Sequence, residues 1–287
     1  MPRAELPMGS IHYEEAGPAD GRPLVFVHGV FAAGSLWQPI VPALAGKGLR
    51  CIVPTWPMGA HQTAMKPGTD LSPGGMANIV AAFVEALDLR DVVLVGNDSG
   101  GAISQVVAAE HPERLGALVL TNCDTLEHFP PRMFAFLPRL ARIPGALRMG
   151  VTPTRLGLVR RSPLGFGLLA HADFDHDASE WVARLFADRG VFEDCRKFVV
   201  GLHRSATLAA AEKLRSFGKP IVLVWGEDDV LFPPAHARQF AEVVGVERLE
   251  LVPRARTFVT YDQPDRVAEL VAEAAGATAP ARETATA

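Results

Sequence analysis

Cysteine, tyrosine and long apolar runs are all scarce in this 287-residue chain, and each scarcity removes a class of function. The three cysteines, Cys51, Cys123 and Cys195, are too few and too odd in number for a disulfide framework. They also stand too far apart for a zinc motif. Cys51 and Cys123 lie in apolar, strand-like runs, where a reduced thiol packs as a small hydrophobe, so a reducing cytoplasm is the expected compartment. No apolar stretch approaches the ~18 residues that a membrane span needs. The opening MPRAELPMGS has no apolar h-region, so no secretory signal is expected. A net charge of -4 and a pI of about 6.1 exclude the net basic field of a typical nucleic-acid binder. Gly96–Gly101 lacks the G-x-G-x-x-G spacing and no P-loop lysine follows it, so no nucleotide, metal or other cofactor is expected. The expected partner is a small-molecule substrate or ligand, with self-association into a homodimer left open.

The chain is 48% hydrophobic and 21% charged, an ordinary globular composition with enough apolar mass for a large core. Short apolar runs alternate with helical patterns. Strands are expected over 11–17 (IHYEEAG), 23–29 (PLVFVHG), 50–56 (RCIVPTW), 92–98 (VVLVGND), 117–124 (ALVLTNCD), 220–229 (PIVLVWGEDD) and 248–253 (RLELVP). Helical spacing falls at 35–48, 74–89, 99–112, 234–245 and 262–276. Wholly apolar strands alternating with helices predict a mostly parallel, doubly wound α/β sheet covered on both faces.

That alternation breaks between 125 and 215, a segment rich in Pro, Arg and Phe that reads as a helical lid inserted into the core formed by 1–124 and 216–276. From His128 to Ala172 the segment holds seven arginines and no acid; from Asp173 to Asp194 acids dominate. Three readings of the arginines stay open: the solvated face of an amphipathic cap, a guide for anionic substrates, or a docking face for a partner or membrane surface. The tail 277–287, ATAPARETATA, is small and polar and is expected to be disordered.

The chemistry concentrates in VVLVGNDSGG, residues 92–101. A strand, G-x-Nuc-x-G, then a helix is the nucleophile elbow, which presents one side chain at the carboxyl edge of a sheet. The register Gly96-Asn97-Asp98-Ser99-Gly100 puts Asp98 at the centre. Ser99 follows it and lends its backbone N–H to an oxyanion hole. With His28-Gly29 after the strand 23–29, and Gly226-Glu227-Asp228-Asp229 with Pro233 after the strand that starts at 220, the chain resembles the α/β-hydrolase superfamily over nearly its whole length outside the lid and tail. The aspartate at the elbow is similar to that of the haloalkane dehalogenases, fluoroacetate dehalogenases and epoxide hydrolases. The resemblance implies Asp98 as nucleophile, Asp229 as triad acid, Val30 beside Ser99 at the oxyanion hole, and His28, Phe31, Asn97 and Asp124 around the pocket. In such a site a carboxylate attacks carbon and leaves an alkyl-enzyme ester, which a histidine base helps water to hydrolyse.

The pattern departs from that family at the base. Phe258 and Gln263-Pro264 set the register, and the histidine position is Thr257, preceded by Arg256. The chain resembles a subfamily that carries the same Thr-Phe pair and lacks the usual triad histidine. Threonine is no general base near neutral pH, whereas a carboxylate with an ordinary pKa is ionised at pH 7, so alkylation of Asp98 followed by a stall is expected. Of the nine histidines, His128 and His203 lie in or beside the lid and are candidates to replace the base. Arg256 is expected to form an ion pair with Asp229. The halide-binding tryptophan that follows the nucleophile in haloalkane dehalogenases is Ser99 here, and neither tyrosine, Tyr13 or Tyr261, is in the lid to protonate an epoxide. Two functional readings follow: a hydrolase with an atypical triad acting on a small organic substrate, or a non-hydrolytic user of the same pocket (a ligand-binding protein, lyase or cofactor-free oxygenase).

Overall fold

The computed structural model describes residues 1–276; the expected disordered tail 277–287 lies outside the described residues. Eight strands form one sheet: β1 Arg3–Leu6, β2 Gly9–Ala16, β3 Pro23–Val27, β4 Arg50–Pro54, β5 Val92–Asp98, β6 Leu115–Cys123, β7 Ile221–Gly226 and β8 Arg248–Val252. Their order is β1-β2-β4-β3-β5-β6-β7-β8. β1 and β2 pair antiparallel, β2 runs antiparallel to β4, and every pairing from β4 to β8 is parallel. The doubly wound α/β architecture expected from the sequence is therefore present. The short edge strand β1, in RAEL, carries too few residues to show a periodicity and has no counterpart in the sequence reading.

Side chains alternate across the sheet, and both faces are buried. Val25, Leu94, Leu120 and Trp225 belong to one core cluster; Leu24, Phe26, Val95 and Val224 belong to the other. The first face is covered by the helices Pro73–Ala86, Ser99–Glu110, Ser205–Leu214 and Pro234–Val244. The second is covered by Val41–Gly46 and Pro264–Ala274. The helical pattern at 35–48 resolves into a 3-10 turn over Gly34–Trp37 and a short helix over Val41–Gly46. Pro39 and Pro42 each remove an N–H donor there and divide the run.

Between β6 and β7 the chain forms short helices, Leu137–Ala141, Ala146–Val151 and Gly157–Arg160, followed by two longer ones, Asp175–Ala187 and Arg189–Gly201. The next helix, Ser205–Leu214, packs on Ser99–Glu110 of the core. The arginine run divides by environment. Arg160 is 7% exposed and grips Asp175 with two bonds, Nε to Oδ1 at 2.7 Å and Nη2 to Oδ2 at 2.9 Å. Arg148 lies over the rings of Phe186 and Phe192. Arg132, Arg139, Arg142 and Arg155 are exposed and form no ion pair among the described residues. Large apolar side chains of the same segment are also exposed, Met149, Leu158 and Leu164 to 76%, 87% and 86%.

The Arg160–Asp175 fork ties the arginine-bearing short helices to the acid-bearing long ones. Charge-assisted, paired bonds of this kind are stronger than neutral ones. Arg160→Ala is expected to loosen residues 146–187 by about 2 kcal/mol. Hydrogen exchange over that stretch is the measurement, and unchanged protection there would refute the assignment.

Candidate active site

The sheet reverses its winding between β3 and β5, and the carboxyl ends of the strands around such a switch point form a crevice. β3 runs out into His28-Gly29-Val30, β5 ends at Asp98, β6 is followed by Asp124, β7 by Asp229 and β8 by Thr257. A cavity of about 210 Å³ opens above them. Asp98, Ser99 and Asp124 supply polar groups to its floor. Phe134, Leu140 and Phe166 of the segment between β6 and β7 form part of its apolar walls.

Asp98 adopts φ 54° and ψ −135°. Such a conformation is strained for any residue with a Cβ and persists where surrounding packing enforces it. The packing is visible at Gly100, where a Cβ would come within 2.3 Å of the carbonyl oxygens of both Val27 and His28. The helix Ser99–Glu110 can start against β3 only because that atom is missing. Asp98 Oδ1 accepts the Ser99 N–H at 2.6 Å, which holds the carboxyl across the helix start and leaves Oδ2 without a protein partner. Burial raises the pKa of this carboxyl to about 7, against the Ser99 hydrogen bond and with a contribution from Asp229. Removal from water therefore works against the ionised nucleophile expected from the sequence.

Ser99 does more than lend its amide. Its Oγ accepts the Val30 N–H at 2.7 Å, so both amides of the expected oxyanion hole have acceptors within the protein. Phe31, at φ 65°, donates its N–H to the Met58 carbonyl at 3.0 Å and lines the cavity with Val30. His28 is fully buried; its Nδ1 bonds the Gly29 carbonyl at 2.8 Å and its Nε2 accepts the Trp56 N–H at 2.8 Å. Burial lowers its pKa to about 4, so it is a neutral tie between loops.

Asp229 sits behind the cavity wall with four donors. Oδ1 accepts the N–H groups of Leu231 and Phe232 at 2.8 and 3.0 Å. Oδ2 accepts Asn122 Nδ2 at 2.7 Å and Thr257 Oγ1 at 2.9 Å. Burial raises its pKa to about 6, and those four bonds oppose the rise and favour the charged form. Asn97 Nδ2 donates to Thr257 O at 2.7 Å and Thr121 Oγ1 at 2.9 Å, pinning the loop after β8 to β5 and β6. Asn122, absent from the sequence reading, also accepts the Gly226 N–H at 2.7 Å. It is one more polar residue in an apolar strand, and only its long-range partners reveal it.

Asp124 is 1% exposed, lines the cavity, and has an Oδ1 with no partner. Gln105 Nε2 fixes its backbone carbonyl at 2.7 Å. Burial and the charge of Asp98 raise its pKa well above the usual carboxylate range.

The expected ion pair between Arg256 and Asp229 is not formed. Arg256 Nη1 reaches the Gly167 carbonyl at 3.4 Å, and the lone pairs of Asp229 are already taken by the four donors above. His128 stacks on His236, ring centroids 3.6 Å apart, outside the cavity lining. His203 is exposed and bonds Ser205 Oγ at 2.8 Å. Among the described residues no histidine, lysine or arginine lines the cavity.

Residues 22–167 match the family model for the alpha/beta hydrolase fold. The chain belongs to the alpha/beta hydrolase fold family. Haloalkane dehalogenase 2 of Mycobacterium tuberculosis is 28% identical to it over 281 residues, which span 93% of this chain and 92% of the relative. The haloalkane dehalogenase of Mycobacterium marinum is 28% identical over 229 residues, 79% of this chain and 75% of the relative. Among solved structures, the haloalkane dehalogenase of Bradyrhizobium elkani shares the fold with a TM-score of 0.77 at 20% identity, over 96% of this chain and 99% of that one. The enol-lactonase of Burkholderia xenovorans does so with a TM-score of 0.69 at 16% identity, over 95% and 99%. Among the described residues Asp98 and Asp124 line the cavity, Asp229 stands behind its wall, and no imidazole is in the lining.

Proposed function

We propose that the protein is a hydrolase of small, largely apolar organic substrates in which Asp98 is the nucleophile and the part of residues 125–215 that precedes the core-packed helix Ser205–Leu214 acts as the lid. The observation that carries this reading is the position of Asp98: strained elbow backbone, cavity floor, one oxygen held by Ser99 N–H and the other unpartnered. Asp229 and Thr257 stand where the acid and the base of the relay would be. The Thr257 hydroxyl donates to Asp229 instead of accepting a proton from water.

An alkyl bromide is the first probe. Intact-mass measurement is expected to show one alkyl group added per chain, mapped to Asp98, at a rate that rises with pH through about 7 as the carboxyl ionises. Addition elsewhere, or none across halides, epoxides and esters together with tight binding of a small metabolite, would replace this reading with the non-hydrolytic one. That alternative draws its support from the lack of an imidazole at the cavity. In the companion variant Thr257→His, hydrolysis of the trapped ester is expected to accelerate by roughly 10²-fold or more; an unchanged ester lifetime would sink the stalled-relay account.

A further inference from the structure

We infer that Asp124 carries the proton for both halves of the reaction: it protonates the substrate oxygen expelled by Asp98, and the carboxylate left behind activates water against the Asp98 ester. The inference rests on Asp98 as nucleophile and adds a substrate class, compounds in which the bond broken joins carbon to oxygen, as in a strained cyclic ether.

The placement comes from the sheet. Asp98 pairs with Cys123 across the β5–β6 ladder, just past a register shift that follows Asn97, so Asp124 follows the residue beside the nucleophile on a strand roughly 4.8 Å away. Both residues line the same cavity. Among the described residues Asp124 Oδ1 is the one carboxylate oxygen buried without a partner, a costly arrangement unless a ligand or proton satisfies it. No cation lines the cavity to balance the acids. Carboxyls crowded together without a counter-charge cannot all ionise, and one retains its proton. Asp229 has four donors and keeps its charge. Asp124 has none on Oδ1, and burial and the charge of Asp98 both push its pKa up.

The cycle closes without a histidine. A lone pair of Asp98 Oδ2 forms a bond to the substrate carbon, the carbon–oxygen bond breaks, and the oxygen takes the Asp124 proton. The result is an Asp98 ester, a new hydroxyl and an Asp124 carboxylate. Water then attacks the ester carbonyl carbon and gives one proton to Asp124. The tetrahedral centre expels the alkoxide, which takes the remaining proton of the added water. Asp98 returns as carboxylate and Asp124 as acid, and the sum is substrate plus water. One carboxyl serving first as acid and then as base is the logic of retaining glycosidases. A halide leaves without taking a proton, so Asp124 stays protonated and no base appears for the second half.

The test compares hexene oxide with bromohexane on the intact wild-type protein. Many turnovers are expected with the epoxide, and one persistent hexyl group per chain with the bromide. Bromide hydrolysed as fast as epoxide, or an epoxide adduct that also persists, overturns the role of Asp124 while leaving Asp98 as nucleophile. Reaction with neither probe overturns both assignments. Asp124→Asn is expected to lose epoxide turnover by roughly 10²- to 10⁴-fold, with Asp124→Glu recovering part of it. Epoxide turnover at the wild-type rate in Asp124→Asn would also overturn the proposal, and where that variant does not fold the two-probe comparison on the wild type decides.

Discussion

Asp98→Asn is expected to lose adduct formation by on the order of 10⁴-fold or more and, at the same time, to be more stable than the parent at pH 8. The first effect follows from replacing the attacking carboxylate with a neutral, weakly nucleophilic amide. The second follows from linkage. The folded-state pKa of Asp98 lies near 7, above the ordinary carboxylate value that the unfolded chain recovers. Below about pH 4 both states hold the proton and the group contributes no difference. As pH rises from there towards 7 the unfolded state ionises first, the native state binds more protons, and native stability falls. Asparagine has no such dependence. The variant should therefore match wild type near pH 4 and exceed it by about 1–2 kcal/mol at pH 8, a rise in Tm of roughly 2–8 °C. Denaturant melts at the two pH values are the measurement. A variant equally destabilised at both would show that Asp98 is held by favourable contacts and not by enforced burial.

Gly100→Ala is expected to have the largest effect on the fold of any single methyl added at the elbow. Its Cβ would stand 2.3 Å from two backbone oxygens, those of Val27 and His28. Neither oxygen sits on a flexible side chain, so either the helix Ser99–Glu110 or the end of β3 must move. Overpacking against backbone in a site of this kind costs about 3 kcal/mol or more, and any shift also disturbs the Asp98 bond to the Ser99 amide and the Ser99 Oγ bond to the Val30 amide. Urea unfolding and the rate of alkyl-bromide addition should fall together. Gly145→Ala is the control: no atom lies within 4 Å of its added Cβ, and the cost there is confined to its positive φ. Equal losses in the two variants would indicate that backbone conformation, not the close approach to β3, decides the elbow.

The legible parts of the molecule are those written locally. Alternating apolar strands and amphipathic helices define the sheet because each element must bury its own face. The elbow register names Asp98 because strain needs small neighbours at fixed offsets. The turn after β7 names Asp229 by the same local logic. What the sequence hides is partner choice across the fold. Asn122 and Gln105 read as scattered polar residues, and the partners of Asn97 stay hidden, until β6, β7 and the loop after β8 bring their amides to Gly226, Asp124 and Thr257. Arg256, beside the position where the base is expected, looks like a natural partner for Asp229, but neutral donors within hydrogen-bond reach occupy the carboxylate first. Asp124 is visible as a residue. Its unpartnered oxygen and its company of acids are visible only in three dimensions.

The Ser99 hydroxyl on the Val30 amide also bears on inhibition. An anion that seeks this corner must displace a tethered side chain and strand its lone pair, rather than release a loosely held water. Chloride and bromide in the medium, and small carboxylates generally, therefore compete poorly here, and the reaction should run at nearly constant speed as such salts are added.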